Sequence, residues 1–230
     1  PPLRQTDDGP PAWPAAILSG QSNANGNAPL TDISAPYTLP EPGVRVFNAT
    51  PQNYIAREWE DLRPVPSPDN YGYGVELSMM RDLAAHPSWA NPALFKCAQG
   101  STGLYDFWSP AGPGAGWRML VDMWDRMVAT APNVGDTLDP RFFLWIQGET
   151  DSILEAHALA YEANLTAFIA AVRALFGKPQ LPFWIVALTV PNGFGAYAHH
   201  VRAAQEAVAA ADPHVHLLSP LTPIPDGVHG

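Results

Sequence analysis

The chain has 230 residues and a mass of 24.8 kDa, enough for one domain that buries roughly 70% of its unfolded surface around a single core. Charged residues make up 15% and apolar ones 47%, which is too apolar for a disordered chain and too interrupted for a membrane span of about 20 apolar residues. Lys and Arg number 12 against 22 Asp and Glu, a net charge of −10 without any basic run, so a phosphate backbone is repelled and nucleic acid is excluded as a partner.

The chain opens on "PPLRQTDDGPP", with neither a basic n-region nor an apolar stretch behind it. It reads as a processed start, and residues 1–13 are expected to form an extended N-terminal segment of one domain spanning 1–230. The matching expectation for location is secreted, periplasmic, or on a virion or cell surface. Proline, at 26 residues, falls mostly between periodic segments, as in "PLTDISAPYTLPEPG" and "DLRPVPSPDNYGYG". Its fixed φ lowers the entropy of the unfolded chain, so these stretches predict ordered loops rather than linkers.

Short apolar runs alternate with amphipathic ones. Strands are predicted at Ala15 to Gly20 and Val44 to Asn48, and a helix at Val75 to His86. A third strand, Ala93 to Ala98, holds Cys97, the only cysteine, which reads as a small buried hydrophobe. The next helix, Trp117 to Ala129, repeats Leu120, Met123, Trp124, Met127 and Val128 at spacings of three and four. After the strand Arg141 to Ile146, a long helix from Ser152 to Phe176 carries Leu154, Tyr161, Leu165, Phe168, Ile169, Val172 and Leu175 on one stripe, closed by Gly177 and Pro179. A strand at Phe183 to Val190, a helix at Ala196 to Ala211 and a further strand candidate, Val215 to Ser219, complete the pattern. Strands separated by helices pair in parallel through right-handed crossovers. The expected fold is therefore α/β, a three-layer α/β/α sandwich around a central, mostly parallel five-stranded sheet. Ligands bind such sheets at the carboxyl ends of the strands, so the chemistry is sought there.

After the first strand comes "SGQSNANG", in which Gly20 permits a sharp turn and Ser22 stands either as a nucleophile awaiting a base or as a helix cap. The third strand leads into "AQGSTGLYDFW", where Gly100 can bring a backbone N–H close to a ligand. The fourth leads into "QGETD": Gln147 offers an amide, Glu149 and Asp151 offer carboxylates, and Asp151 suits a helix N-cap or first turn. The carboxylates lack the His or acidic companions of a metal site, so no metal or other cofactor is expected. Near the end, "DGVH" sets Asp226 and His229 three apart, close enough for the carboxylate to hold an imidazole in the tautomer of a general base. Together these supply every role of acyl transfer.

Through "GQSN", "KCAQGSTGL", "WIQGETD" and "DGVH" the sequence resembles the SGNH hydrolases, in particular their sialate O-acetylesterase-like and acetylxylan-esterase-like branch, from Ile17 to His229. The resemblance implies a flavodoxin-like fold and a catalytic set of Ser22, Asp226 and His229. It further implies an oxyanion hole from the backbone of Ser22 and Gly100 and the Gln147 side chain, with Gln21, Asn23 and Glu149 in support. One departure is "GST" where the branch usually has "GGT". The implied activity is removal of O-acetyl groups from a carbohydrate through an acyl-enzyme, and the implied partner is acetylated carbohydrate. Tyr105 and Trp108, in the loop "LYDFWSPAGPGAGW", are the aromatic candidates for stacking on a sugar. Two rival readings are a lipase or thioesterase of the same superfamily, which would need an apolar acyl tunnel, and a non-catalytic carbohydrate-binding module on the same scaffold.

Overall fold

Alternate side chains of each central strand enter two different cores, and this alternation accounts for the layers. The computed structural model describes residues 12–26, 28–49, 58–64, 71–112, 114–131, 137–189 and 195–219. In chain order its elements are β1 (Ala12–Gly20), α1 (Ser22–Asn25), β2 (Ala28–Pro29), β3 (Glu41–Asn48), β4 (Trp59–Leu62), β5 (Tyr71–Tyr73), α2 (Glu76–Ala84), β6 (Ala93–Ala98) and α3 (Ala115–Ala129). There follow β7 (Thr137–Ile146), α4 (Glu155–Leu175), β8 (Phe183–Val186), α5 (Ala198–Ala211) and β9 (Val215–Leu218), with 3-10 turns at Leu30–Asp32 and Asp151–Ile153.

The main sheet runs β4-β3-β6-β1-β7-β8-β9, and every pairing in it is parallel except that of β3 with β4. It is thus wider than expected, seven strands in place of five. The antiparallel edge strand β4 arises inside a proline-rich loop, where no periodicity announces it. β1 begins at Ala12, so the expected N-terminal segment gives up its last two residues to the sheet, and residues 1–11 lie outside the described ones.

On one face, Ile17, Phe95, Cys97, Phe143, Trp145, Phe183 and Ile185 meet Leu120, Trp124 and Met127 of α3, Tyr161, Leu165, Phe168 and Val172 of α4, and Val201, Ala204 and Val208 of α5. Intervening residues such as Ala16, Leu18, Leu94 and Leu144 form the opposite core with Leu77 and Met80 of α2. Edge-to-face aromatic contacts add specificity to the larger core, among them Phe95 with Trp124 at 5.6 Å and Trp117 with Phe168 at 5.9 Å. α4 is long and apolar enough by composition to cross a membrane. Here it is a core helix whose apolar stripe is spent on the sheet.

Candidate active site

Gly20 ends β1 level with the ends of both neighbouring strands, opposite Ala98 of β6 and Ile146 of β7. Backbone hydrogen bonds carry the alignment one residue further: Gln21 N–H donates to Ile146 O at 3.0 Å, and Gln99 N–H donates to Gly20 O at 3.0 Å. The segments "GQSN", "AQGS" and "QGET" therefore leave the sheet side by side. They do so where the connections change from the β6 side of β1 to the β7 side, the crevice in which open α/β sheets bind ligands. Gly20 has φ +140, and a Cβ there would collide with the Ile146 carbonyl. Only glycine allows two strands and the turn to approach this closely.

Ser22 opens α1, a single turn closed when Gly26, at φ +82, donates its N–H to Ser22 O at 3.1 Å. Its side chain is half-buried, between buried Gln21 and exposed Asn23. Half-buried Gly100 follows β6, and Ser101 after it has φ +59. A non-glycine residue held there costs roughly 1–2 kcal/mol. The departure from the resembled pattern noted in the sequence, Ser in place of Gly, thus falls where it strains the backbone. Thr102 then pins the turn: its hydroxyl donates to Gln99 O at 2.6 Å and accepts from the Trp108 indole N–H at 2.9 Å.

Gln147 is brought to the same place but not as the open donor expected of it. Its amide is buried, and Nε2, with two protons, already faces three acceptors: Gln21 Oε1 at 3.2 Å, Thr102 O at 3.1 Å and Asp151 Oδ2 at 2.6 Å. Its Oε1 accepts from the Tyr161 hydroxyl at 2.9 Å. No proton is left for a substrate oxygen, and Gln147 is instead the hub that joins the three loops.

Asp151 departs from its expected role as well. It lies in the 3-10 turn ahead of α4, while Leu154 occupies the N-cap without a side-chain bond. Fully buried, its carboxylate accepts from Leu104 N–H at 2.8 Å, Tyr105 N–H at 2.9 Å and the Gln147 amide. Burial pushes its pKa up from its ordinary value, against the pull of these donors. Glu149 accepts from Asn23 Nδ2 at 2.6 Å through one oxygen. The other oxygen is buried without a partner among the described residues. Burial raises the Glu149 pKa, its own backbone N–H and Asn23 oppose that, and the neighbouring Asp151 charge adds to it.

Two contributors escaped the sequence reading. Tyr161 looked like one more core residue of α4, yet its hydroxyl supports both Gln147 oxygens, and burial raises its pKa, which keeps it a donor. Gln205 interrupts the apolar stripe of α5 and is fully buried. Its amide donates to Gln147 O at 3.2 Å and its carbonyl accepts from Leu188 N–H at 2.8 Å. A glutamine between Val201 and Val208 on an otherwise apolar face was the available signal.

Trp108 cannot stack on a sugar. The indole is wholly buried, packed on Trp145 at 5.7 Å, with its N–H committed to Thr102. Tyr105 is 45% exposed and its ring lies flat on that of His157 at 4.0 Å. Asp226 and His229 lie outside the described residues.

The sequence profile of "Carbohydrate esterase, sialic acid-specific acetylesterase" matches residues 15–229. Among solved structures, a protein from Arabidopsis thaliana is similar with a TM-score of 0.71 and 22% identity, over 92% of this chain and 89% of that one. NanS is similar with a TM-score of 0.67 and 15% identity, over 92% and 78%. XAC1771, a carbohydrate acetylesterase from Xanthomonas citri, gives a TM-score of 0.61 and 19% identity over 89% of this chain and 49% of its own, about half its length. At these identities the likeness establishes the fold. No curated protein sequence matches the chain.

Proposed function

Because the chain belongs to the carbohydrate esterases of the sialic acid-specific acetylesterase family, a family of carboxylic ester hydrolases that deacetylate carbohydrates, we propose that it removes O-acetyl groups by a two-step mechanism centred on Ser22. His229, held by Asp226, takes the Ser22 proton as the hydroxyl attacks the acetyl carbonyl. The backbone N–H groups of Ser22 and Gly100 stabilise the tetrahedral oxyanion, and the carbohydrate hydroxyl leaves with the proton from His229. Water then attacks the acetyl-Ser22 ester with the same base, releasing acetate.

The observation that carries this reading is the alignment of Gly20 with Ala98 and Ile146, which sets Ser22, Gly100 and the Gln147 hub on adjoining turns. With the Gln147 amide committed to Asp151, Thr102 and Gln21, its part is to hold the Gly100 loop against the Ser22 turn.

Ser22→Ala should abolish acetate release from p-nitrophenyl acetate and from acetylated sugars, and prevent labelling by a fluorophosphonate, while the circular dichroism spectrum stays that of the parent. Retained hydrolysis by the variant would remove Ser22 from the mechanism.

A further inference from the structure

Beside the Ser22 turn a hollow opens, of about 290 Å³, lined by Asp32, Ser34, Tyr37, Tyr73, Leu77 and Ser78 together with Ile33 and Gly74. That volume is close to the lower end of small-ligand clefts, about 300 Å³. Its position follows from the chain. Gly26 closes α1 and packs on the backbone of Tyr73 and Gly74, where a Cβ at Gly26 would lie 2.7–2.9 Å from those atoms. Ala28 pairs with Tyr73 in the small antiparallel sheet of β2 and β5. The four residues of α1 advance about 6 Å, so the Tyr73–Gly74 wall stands one helical turn from Ser22.

The wall is braced from behind. Gly74 N–H donates to Glu76 Oε1 at 2.9 Å, and the same oxygen meets Lys96 Nζ at 3.0 Å in an ion pair whose side chains are 6% and 3% exposed. A hollow held this way exists before a ligand arrives.

Its chemistry is that of an uncharged sugar. Tyr37 and Tyr73 in the lining suit the C–H side of a pyranose, while the Asp32 carboxylate and two serine hydroxyls suit vicinal hydroxyl groups. Among the described residues the lining holds no Lys or Arg. The Arg81 guanidinium sits 5.3 Å over the Tyr37 ring, paired with Glu41 at 2.6 Å. A ligand carboxylate would meet Asp32, and the Arg81 charge beside Tyr37 is already matched by Glu41.

We propose that this hollow is a subsite for a neutral pyranose ring of the substrate, next to the ring that carries the scissile acetyl group, and that Asp32 makes it select uncharged acetylated sugars over acetylated sialic acid. The proposal rests on the esterase reading above for its catalytic meaning, and the binding arm of the test does not.

For the wild type, Tyr37→Ala and Asp32→Lys, kcat and KM are measured on monoacetylated xylobiose, an O-acetylated sialic acid and p-nitrophenyl acetate. Binding of unacetylated xylobiose is followed by saturation-transfer NMR on Ser22→Ala, with and without Tyr37→Ala. Losing an aromatic face should raise KM for acetylated xylobiose about tenfold relative to that for p-nitrophenyl acetate. Asp32→Lys should shift the preference toward the sialic acid ester, and xylobiose binding should fall with Tyr37→Ala. The proposal is overturned if KM for all three esters moves together, or if xylobiose binds Ser22→Ala equally well with and without Tyr37. If no ester is cleaved by the wild type yet xylobiose binding still depends on Tyr37, the hollow stands and the esterase reading fails.

Discussion

Three N–H groups converge on the Asp151 carboxylate, and two of them belong to the loop that follows Gly100. A buried donor left without an acceptor costs about 1–3 kcal/mol. The Gln147 amide keeps Gln21 and Thr102 as acceptors, so Asp151→Ala, which orphans the Leu104 and Tyr105 N–H groups, should lower stability by at least about 2 kcal/mol, and Asp151→Asn by less, because one carbonyl remains to accept. Urea denaturation followed by tryptophan fluorescence measures both, and an alanine variant as stable as the parent would contradict the three-donor arrangement. Glu149 carries a pH signature. Burial raises its pKa in the folded protein above the ordinary 4.5, so the folded state holds the proton longer than the unfolded chain does. The associated stability is fully present below about pH 4.5 and is lost as pH rises through the raised pKa. Glu149→Gln keeps an acceptor for Asn23 and removes the titration. The variant should therefore gain on the wild type in urea midpoint as pH climbs from 4.5 toward neutrality, whereas the opposite slope would place the Glu149 pKa below its ordinary value. In turnover, Glu149→Gln should be far less damaging than Ser22→Ala.

Among the elements, those with long apolar runs were the legible ones: β6 spans Ala93–Ala98 as its sequence predicts, and α3 begins only two residues earlier than expected. β2, β4 and β5 were missed because they are two to four residues long and owe their extended form to a partner rather than to a pattern. β8 ends at Val186 although the apolar run continues, and Leu188 N–H is taken by the Gln205 side chain; the predicted end at Val190 lies outside the described residues. The tie between α2 and β6 is the buried pair of Glu76 and Lys96. Removing one partner of a buried pair costs about 3–5 kcal/mol, while replacing both by neutral residues of like size costs far less. Lys96→Ala should accordingly lower Tm sharply, and Lys96→Met combined with Glu76→Gln, which still accepts from Gly74 N–H, should recover most of the loss. A double variant no better than the single one would show that the backbone around Gly74, rather than the uncompensated charge, had failed.

At the scale of the molecule the net charge of −10 acts on any charged substrate before contact. Screening shortens from about 30 Å at 0.01 M salt to about 8 Å at 0.15 M, so long-range repulsion should fade over that range. KM for an O-acetylated sialic acid should fall as sodium chloride is raised, while KM for a neutral acetylated sugar stays level, and parallel responses of the two would mean that overall charge has no part in selectivity. The same scale sets what the site is made of. Ser22, Gly100 and Gln147 are 125 positions apart from first to last in the chain, and the register of β1 between β6 and β7 reduces that separation to adjoining turns.

Periodicity, turn residues and four short blocks were enough to determine the α/β layers, the parallel sheet and the candidate nucleophile, because burial of alternating apolar runs and the φ demands of glycine are local properties that a sequence displays directly. Which polar groups share protons was decided only by the tertiary structure. That Gln147 is consumed by Asp151, that Trp108 faces the core while Tyr105 faces solvent, and that Gln205 reaches the site from α5 all depend on distances between segments far apart in the chain. A donor's availability is fixed by the acceptors folded against it, and no spacing along the chain records them.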